Sequence, residues 1–241
     1  MIAVEIPELE GAERAAWHVV LDLADAHLPR WVLAGGLMVH LHRYEAGVTP
    51  RRVTTDVDCV VDVRVRAVRA TEAFSRRFQD DLHMRMEPPN AAGAGHRFTR
   101  DDGAVVDVLA ADFGERSRPH TTIPPARTVG VPGGRGLLAD AEEVRVIHDG
   151  RSGIVARPSL VASIVSKWRA YAEIAVHRGD PDRHLRDAAT LLTVADPDAV
   201  VVTIAQCEHL ERLLAEIETR PELAGGDGDL VIDTLALLLD S

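Results

Sequence analysis

Lysine and cysteine are both rare in this chain of 241 residues. Its two cysteines, Cys59 and Cys207, form no C-x-x-C pair, so neither a disulfide framework nor a structural zinc site is expected. No apolar run reaches the roughly 18 residues that a membrane span requires. The opening residues, MIAVEIPELEG, carry acids and no basic start, unlike a secretory signal. We therefore expect a cytoplasmic protein with no membrane contact.

The chain also carries fewer basic than acidic residues, 27 against 38. The formal net charge is −11, whereas a protein that only clamps a nucleic-acid backbone is usually basic. This argues against a pure nucleic-acid-binding module, although it leaves room for a local basic groove, since Lys and Arg together number 27. Lys167 is the sole lysine among them, which raises the question of why an arginine-biased chain has kept it.

Hydrophobic residues make up 46% of the chain, which is ordinary for a folded protein. In the first part of the chain, hydrophobic spacing and turn residues predict helices over 8–28, 37–44 and 66–85, strands over 31–34 and 57–63, and a hairpin of 97–100 with 104–109 around Asp-Gly. The segment 114–158 is rich in Pro and Gly. It predicts an irregular connector with short strands near 127–131 and 143–148.

The composition changes after Pro158, where the pattern predicts a series of helices over 159–177, 182–195, 197–219 and 228–240. The sequence therefore predicts an α+β fold. We expect a mixed sheet with helices in residues 1–155 and a helical bundle in residues 156–241.

Two carboxylates lie close together on a predicted strand. Residues two apart in a strand point to the same side, so Asp56 and Asp58 should project together. Neighbouring carboxylates repel each other unless a cation sits between them, and Mg²⁺ prefers carboxylate oxygens and substrate phosphates. The pair is a candidate Mg²⁺ site, although D-x-D alone is a weak signal.

A third carboxylate, Asp107, interrupts an otherwise apolar strand. Burying an unpaired charge is costly, so Asp107 needs a partner. That partner is either a metal shared with the D-x-D pair or an arginine such as Arg97 or Arg100. Three acids are what two-metal phosphoryl transfer needs to hold both ions and activate the attacking hydroxyl.

Gly35 and Gly36 lie where a predicted strand meets a predicted helix. Glycines let the backbone approach phosphates, and a helix N-terminus offers free N–H groups. A Gly-Gly pair alone is more often only a turn, but the order strand, Gly-Gly, helix, D-x-D strand and later acid is far more specific. It indicates a triphosphate cradle facing a metal site. Thr55 joins the candidate nucleotide site, with the alternative that it merely favours extended backbone.

These motifs resemble the nucleotidyltransferase superfamily of DNA polymerase β, whose pattern is h-G-[GS], a spacer, D-h-[DE]-h and a third acid on a later strand. Residues 33–36 match the first element, residues 56–59 the second and Asp107 the third. The resemblance covers residues 15–112 and implies a small mixed sheet with helices, often followed by a helical domain. The spacer is longer than in many members, and residues 45–53 account for the extra length.

Within that superfamily, the stretch GGLMVHLHRY resembles the AbiEii-type toxins of type IV toxin–antitoxin systems. Their helical half carries a lysine and a later K/R-D/H-x-x-D-L element, matched by Lys167 and, loosely, by residues 183–187. The resemblance implies that Lys167 contacts the triphosphate and that Asp187 orients it. The residues alone leave open a solvated helix lysine at position 167 and a surface i,i+4 pair of Asp187 with Arg183.

The sequence thus leads to the hypothesis of NMP transfer from an NTP to an acceptor hydroxyl, with two Mg²⁺ ions held by Asp56 and Asp58. Asp107 would bind the catalytic ion and help to deprotonate the hydroxyl, while Lys167 would assist the glycines at the phosphates. The toxin resemblance implies an RNA acceptor, such as a tRNA 3′ end, and a cognate antitoxin. Two rivals stay open: the same chemistry on a small molecule such as an aminoglycoside or on a protein, somewhat favoured by the acidic charge, and a binding protein with a degenerate fold.

Overall fold

A computed structural model describes residues 1–26, 28–63, 70–111, 121–173, 180 and 182–240. It is a mixed α+β structure with two sheets. In chain order, the strands and α-helices are β1 (Ile2–Glu5), α1 (Gly11–Ala24), β2 (Trp31–Ala34), α2 (Gly35–Glu45), β3 (Asp56–Val61), α3 (Ala70–Arg76), β4 (Arg85–Met86), β5 (Arg97–Thr99), β6 (Val105–Ala111), β7 (Val129–Val131), α4 (Gly134–Ala139), β8 (Ala141–His148), β9 (Arg151–Pro158), α5 (Leu160–Glu173), α6 (Arg183–Leu192), α7 (Ile204–Thr219) and α8 (Gly228–Asp240).

The larger sheet has the order β2-β3-β6-β5-β4, with β7 also paired to β6. Strand β3 is antiparallel to β2 and parallel to β6, while β5 and β6 form the predicted antiparallel hairpin. Most of β3 is buried, as expected for a valine-rich strand in the middle of a sheet. This arrangement places the D-x-D strand directly beside the strand that carries Asp107.

The smaller sheet pairs β1 in parallel with β8 and β8 in antiparallel with β9. A two-residue turn, Asp149-Gly150, joins β8 to β9, and both of its residues have positive φ, as a type I′ hairpin turn requires. The sequence had indicated only an irregular connector with short strands here. Local patterning missed helix α4. It also missed the length of the hairpin, because β8 is completed by pairing with the distant β1. Residues 114–120 of that predicted connector lie outside the described residues.

The four C-terminal helices follow the predicted order. Helix α7 begins at Ile204 rather than near 197 because Thr203 and Gln206 form a capping box there. The predicted end of the first of these helices, residues 174–177, lies outside the described residues, as does the predicted helical start at 66–69. In the described part of the predicted 66–85 helix, α3 passes into a π-helical turn over Arg77–Asp81.

Buried residues of α5 to α8 belong to the same hydrophobic core as those of the larger sheet. The predicted domain boundary near 155 falls inside β9 and stays a prediction. Across the described ranges, none of the helices combines the length and apolar character needed to cross a membrane.

Candidate active site

One cavity of about 790 Å³ lies between the larger sheet and the helices α2, α5 and α6. Its volume is within the range of small-molecule sites. All of the site residues predicted from the sequence line it, namely Gly35, Gly36, Thr55, Asp56, Asp58, Asp107, Lys167 and Asp187. Motifs that are far apart in the chain are therefore gathered around one space.

Strand register aligns the acids in a row across the sheet. Asp58 lies opposite Asp107 in the parallel pair β3–β6, and Asp107 lies opposite Arg97 in the antiparallel pair β5–β6. Directly opposite residues project from the same face of a sheet. Ala34, the last residue of β2, lies opposite Asp58, so the row leads straight into the Gly-Gly turn.

Asp56 begins β3 and lies on the same face as Asp58, two positions away. The D-x-D strand therefore presents both carboxylates to the cavity. The Thr55 hydroxyl donates to Asp56 Oδ1 over 3.4 Å, at the long end of hydrogen-bond distances. Thr55 thus contacts a candidate ligand only weakly.

Asp107 has an arginine partner, which is one of the two alternatives that its sequence left open. Arg97 donates to both oxygens of Asp107, over 2.9 Å from Nε and 2.7 Å from Nη2. The same Nη2 lies 3.4 Å from Asp56 Oδ2. The guanidinium thus binds one acid in a bidentate manner and reaches a second.

Asp58 differs from its neighbours in its charge environment. Burial raises the pKa of Asp58 to about 7, and the nearby charge of Asp107 acts in the same direction, while Lys167 opposes both. The side chain faces the cavity and keeps partial exposure, yet its charged form is poorly compensated by the protein. A cation delivered into the cavity would relieve this cost.

The two glycines are required by close packing on the acid row. Gly35 has φ +65°, and a Cβ at this position would overlap Oδ2 of Asp58. A Cβ on Gly36 would lie 2.5 Å from Oγ1 of Thr54. The N-terminus of helix α2 has no side-chain cap, since its N-cap residue is Ala34. Free backbone N–H groups therefore lie beside the carboxylates.

Lys167 is buried on α5, so the alternative of a solvated helix lysine is wrong. Its Nζ donates to Oδ2 of Asp187 on α6 over 2.7 Å. Arg52 binds both oxygens of the same carboxylate, over 3.0 Å from Nε and 2.9 Å from Nη2. Asp187 is therefore a buried junction of two cations rather than a surface partner of Arg183.

These cations determine the state of Asp187. Burial alone would raise the pKa of Asp187, but the charge of Lys167 and the hydrogen bond and charge of Arg52 lower it to about 2. The carboxylate is thus ionised and satisfied within the protein. Lys167 and Arg52 are held against it at the cavity wall.

Sequence reasoning missed Arg52 as a site residue and considered Arg97 only as a substitute for a metal. Arg52 lies in the extra segment before the D-x-D strand. Arg51 and Arg52 form an arginine pair in a loop that adjoins the acids. This pair was the sequence signal that could have identified Arg52 as a site residue. Lys167, Arg183 and Arg52 give the cavity a cationic lining, and Arg97 adds a further cation within the acid row itself.

The chemistry of the donor set fits Mg²⁺, which binds through carboxylate oxygens. Asp58 and Asp107 lie side by side, and Asp58 lacks a hydrogen-bonded cation among the described contacts. In the described structure, Asp56, Asp58 and Asp107 do not each bring an oxygen to within 4.8 Å of the other two. Arg97 lies between Asp56 and Asp107, and an ion held by all three acids would replace its contacts. Its side chain is 37% exposed, which gives it room to move.

Comparisons with known proteins agree at the level of the fold. The chain is similar to the crystal structure of an antigenic nucleotidyltransferase-like protein from Paracoccidioides brasiliensis, with 15% identity and a TM-score of 0.54. The match covers 94% of this chain and 93% of that chain. No protein-family model matches, and neither does any curated protein. The likeness shows a nucleotidyltransferase-like fold over nearly the whole chain, whereas the motif resemblance covered residues 15–112.

Proposed function

We propose that this protein is a Mg²⁺-dependent nucleotidyltransferase that moves NMP from an NTP to an acceptor hydroxyl. The observation that carries the proposal is the row of Asp58 and Asp107 on neighbouring strands, next to the uncapped N-terminus of α2. Acids that lie beside a helix N-terminus in one cavity suit a metal-bound phosphate chain. The fold supports this reading, because it is nucleotidyltransferase-like.

Asp56, Asp58 and Asp107 would hold the metal ions. When bound, Mg²⁺ neutralises charge on the phosphates and favours the ionised acceptor hydroxyl. In its absence Arg97 supplies the positive charge to Asp107 and Asp56. Release of Arg97 leaves an additional cation beside the cavity, within reach of the phosphate oxygens.

The triphosphate would lie along the N-terminus of α2 and the cationic wall. Backbone N–H groups at Gly35 and Gly36 bind phosphate oxygens without side-chain obstruction. Lys167 and Arg52 supply charge from the opposite side, and Asp187 holds both in place. A lysine fixed by a buried carboxylate loses little conformational entropy on binding phosphate.

In the reaction, the acceptor oxygen attacks the α-phosphorus of the NTP. A bond forms between the acceptor oxygen and the α-phosphorus, and the bond from the α-phosphorus to the bridging oxygen breaks. Pyrophosphate leaves with that electron pair. Asp107, beside Asp58 in the acid row, accepts the proton of the acceptor hydroxyl or passes it to water.

The acceptor that we propose is RNA, with a tRNA 3′ end as the first case, in line with the resemblance to AbiEii-type toxins. Arg183 and Arg97 lie at the cavity wall, where a nucleic-acid backbone would need positive charge. The toxin activity, the antitoxin partner and the choice of base are part of this proposal and rest on the resemblance alone.

A calorimetric titration with each NTP, with and without Mg²⁺, tests the site. We expect binding by the wild type that requires Mg²⁺ and is lost in Asp58→Asn. The matched control is Asp101→Asn, which removes the same charge from an exposed turn of the β5–β6 hairpin. This control should bind as the wild type does.

A transfer assay with labelled NTP then separates the acceptors. Label transferred to tRNA, but not to an aminoglycoside or to protein, supports the RNA acceptor. Label on one of the other two would move the same chemistry to that acceptor. Metal-dependent NTP binding with no transfer to any of the three would favour a binding protein, and Asp58→Asn with wild-type transfer would refute the site.

A further inference from the structure

A second cluster of potential metal ligands lies outside the cavity. His18 is on α1, His148 is the last residue of β8 and Asp149 begins the turn to β9. None of the three lines the cavity that holds the acid row. The described structure brings one ligand atom of each to within 4.8 Å of the others.

The distances suit a small tetrahedral ion. Zinc–nitrogen and zinc–oxygen bonds of roughly 2.1 Å in tetrahedral geometry place neighbouring ligand atoms about 3.4 Å apart. Asp149 Oδ2 lies 2.9 Å from Nε2 of His18 and 3.7 Å from Nε2 of His148. The two observed distances bracket the value that such an ion would require.

An independent observation comes from the ring of His148. Its side chain is fully buried, and neither ring nitrogen has a hydrogen-bond partner of normal geometry. Buried polar atoms without partners are costly and uncommon. The ring lies beside that of His18, with centroids 5.5 Å apart, and its Nε2 lies on the side of Asp149. Coordination would satisfy a nitrogen that has no hydrogen bond of normal geometry in the described structure.

Arg14 competes for the same carboxylate. Its Nε lies 2.5 Å from Asp149 Oδ2, and its side chain is 53% exposed. An exposed ion pair of this kind contributes little and can be exchanged for another cation. A metal ion and the Arg14 contact would therefore exclude each other at Oδ2.

We propose that His18, His148 and Asp149 form a binding site for a divalent transition metal, with Zn²⁺ as the best match. Two imidazoles and one carboxylate are a ligand set that Zn²⁺ accepts, with a fourth position left for water. The ion would join helix α1 to the β8–β9 hairpin. Its effect would be on the stability of the fold, because it binds the folded arrangement of a helix and a hairpin that are far apart in the chain.

Calorimetric titration with ZnCl₂, without nucleotide and in excess MgCl₂, tests the site. The excess Mg²⁺ occupies carboxylate sites that prefer oxygen ligands. We expect one Zn²⁺ per chain and at least tenfold weaker binding in His18→Ala. Arg14→Ala should bind several times more tightly, since the competing cation is gone. The control His209→Ala, a half-buried histidine on α7, should match the wild type.

Thermal unfolding gives a second readout. Zn²⁺ should raise the Tm of the wild type and of Arg14→Ala, but not that of His18→Ala. These two variants alter partly exposed side chains, so the test does not depend on folding of a His148 variant. Equal Zn²⁺ affinity in the wild type and His18→Ala would overturn the proposal, as would no Zn²⁺ binding by either the wild type or Arg14→Ala.

Discussion

Two acids on opposite walls of the same cavity differ in how their charge is compensated. Asp187 binds Lys167 and Arg52, and its pKa is lowered to about 2. Asp58 is also largely buried, but it lies opposite Asp107 in the sheet, and burial with the charge of Asp107 raises its pKa to about 7. The charge of Asp187 is compensated within the protein, whereas the charge of Asp58 is not.

This difference separates two functions of buried charge. A carboxylate held by two cations positions them and stabilises the contact between α5, α6 and the loop that carries Arg52. A carboxylate placed beside another one costs stability in the free protein, which is the usual mark of a binding site. Substituting Asp58 and substituting Asp187 should therefore have opposite effects on the stability of the fold, and the Asp58 substitution should have the larger effect on activity.

The largest effect is expected from Asp58→Asn. Loss of a metal ligand removes several kcal/mol of transition-state stabilisation, or at least about a thousandfold in rate. Without metal, the variant should unfold at the same temperature as the wild type or higher, because a poorly compensated charge is gone. Pyrophosphate release and thermal unfolding measure the two properties. A marked fall in Tm would show that Asp58 supports the fold rather than an ion.

Asp187→Asn should instead lower the stability of the free protein. Removing one partner from a buried ion pair leaves Lys167 uncompensated, and we expect a loss of about 3 kcal/mol in the free energy of unfolding. Urea denaturation measures this change. The matched control is Asp182→Asn, an acid near the start of the same helix, whose two-oxygen pair with Arg220 is partly exposed rather than buried. Its effect should be much smaller, and equal losses in the two variants would contradict the comparison.

Lowering the pH should remove the stabilising contribution of the Asp187 carboxylate. The pKa of Asp187 is about 2 in the folded protein, against an ordinary value of 3.8 for an aspartate, so its stabilising effect is present above about pH 4 and is lost as the pH falls towards 2. The difference between the wild type and Asp187→Asn should shrink by about 2 kcal/mol over that interval. Urea unfolding at pH 5 and at successively lower pH follows it. A difference that does not change with pH would rule out Asp187 as its source.

The acid row could be predicted from the sequence because its signals are local. Asp56, Asp58 and the Gly35-Gly36 turn lie within single elements, where strand alternation and turn chemistry decide geometry. The hairpin around Asp102-Gly103 likewise fixed the position of Asp107 relative to Arg97. The single strands, turns and hairpin that carry the acids follow from these short-range patterns.

The remaining features depend on contacts between distant segments. Arg52 reaches Asp187 across 135 positions of the chain, and no local period encodes such a pair. The same holds for β1, which pairs with β8, and for His18, which meets Asp149 across 131 positions. Side-chain partners of this kind are set by tertiary packing rather than by propensity.

Arg97→Gln tests whether the cation supplied by the protein competes with a metal. Arg97 binds Asp107 and Asp56 in the free protein, so its removal should tighten Mg²⁺ binding without nucleotide. The side chain is partly exposed, and we expect a gain of about fivefold, or roughly 1 kcal/mol. Calorimetry measures it, with Arg100→Gln, whose partner is Asp102 on the same hairpin, as the control. Weaker Mg²⁺ binding would mean that Arg97 organises the acids rather than opposing the ion.

Thr55→Val should have the smallest effect. The Thr55 hydroxyl reaches Asp56 only over 3.4 Å, and Val fits the same extended backbone. If Thr55 merely adjoins the acid row, Mg²⁺ and NTP affinities should change less than about threefold, because a hydrogen bond this long at a partly exposed site contributes little. A loss of more than tenfold in NTP affinity, with Mg²⁺ affinity unchanged, would instead assign the hydroxyl to the nucleotide. Phosphate would then be bound by a residue beside the D-x-D strand as well as by the N-terminus of α2. The acid row would in that case hold both the metal ions and the phosphates.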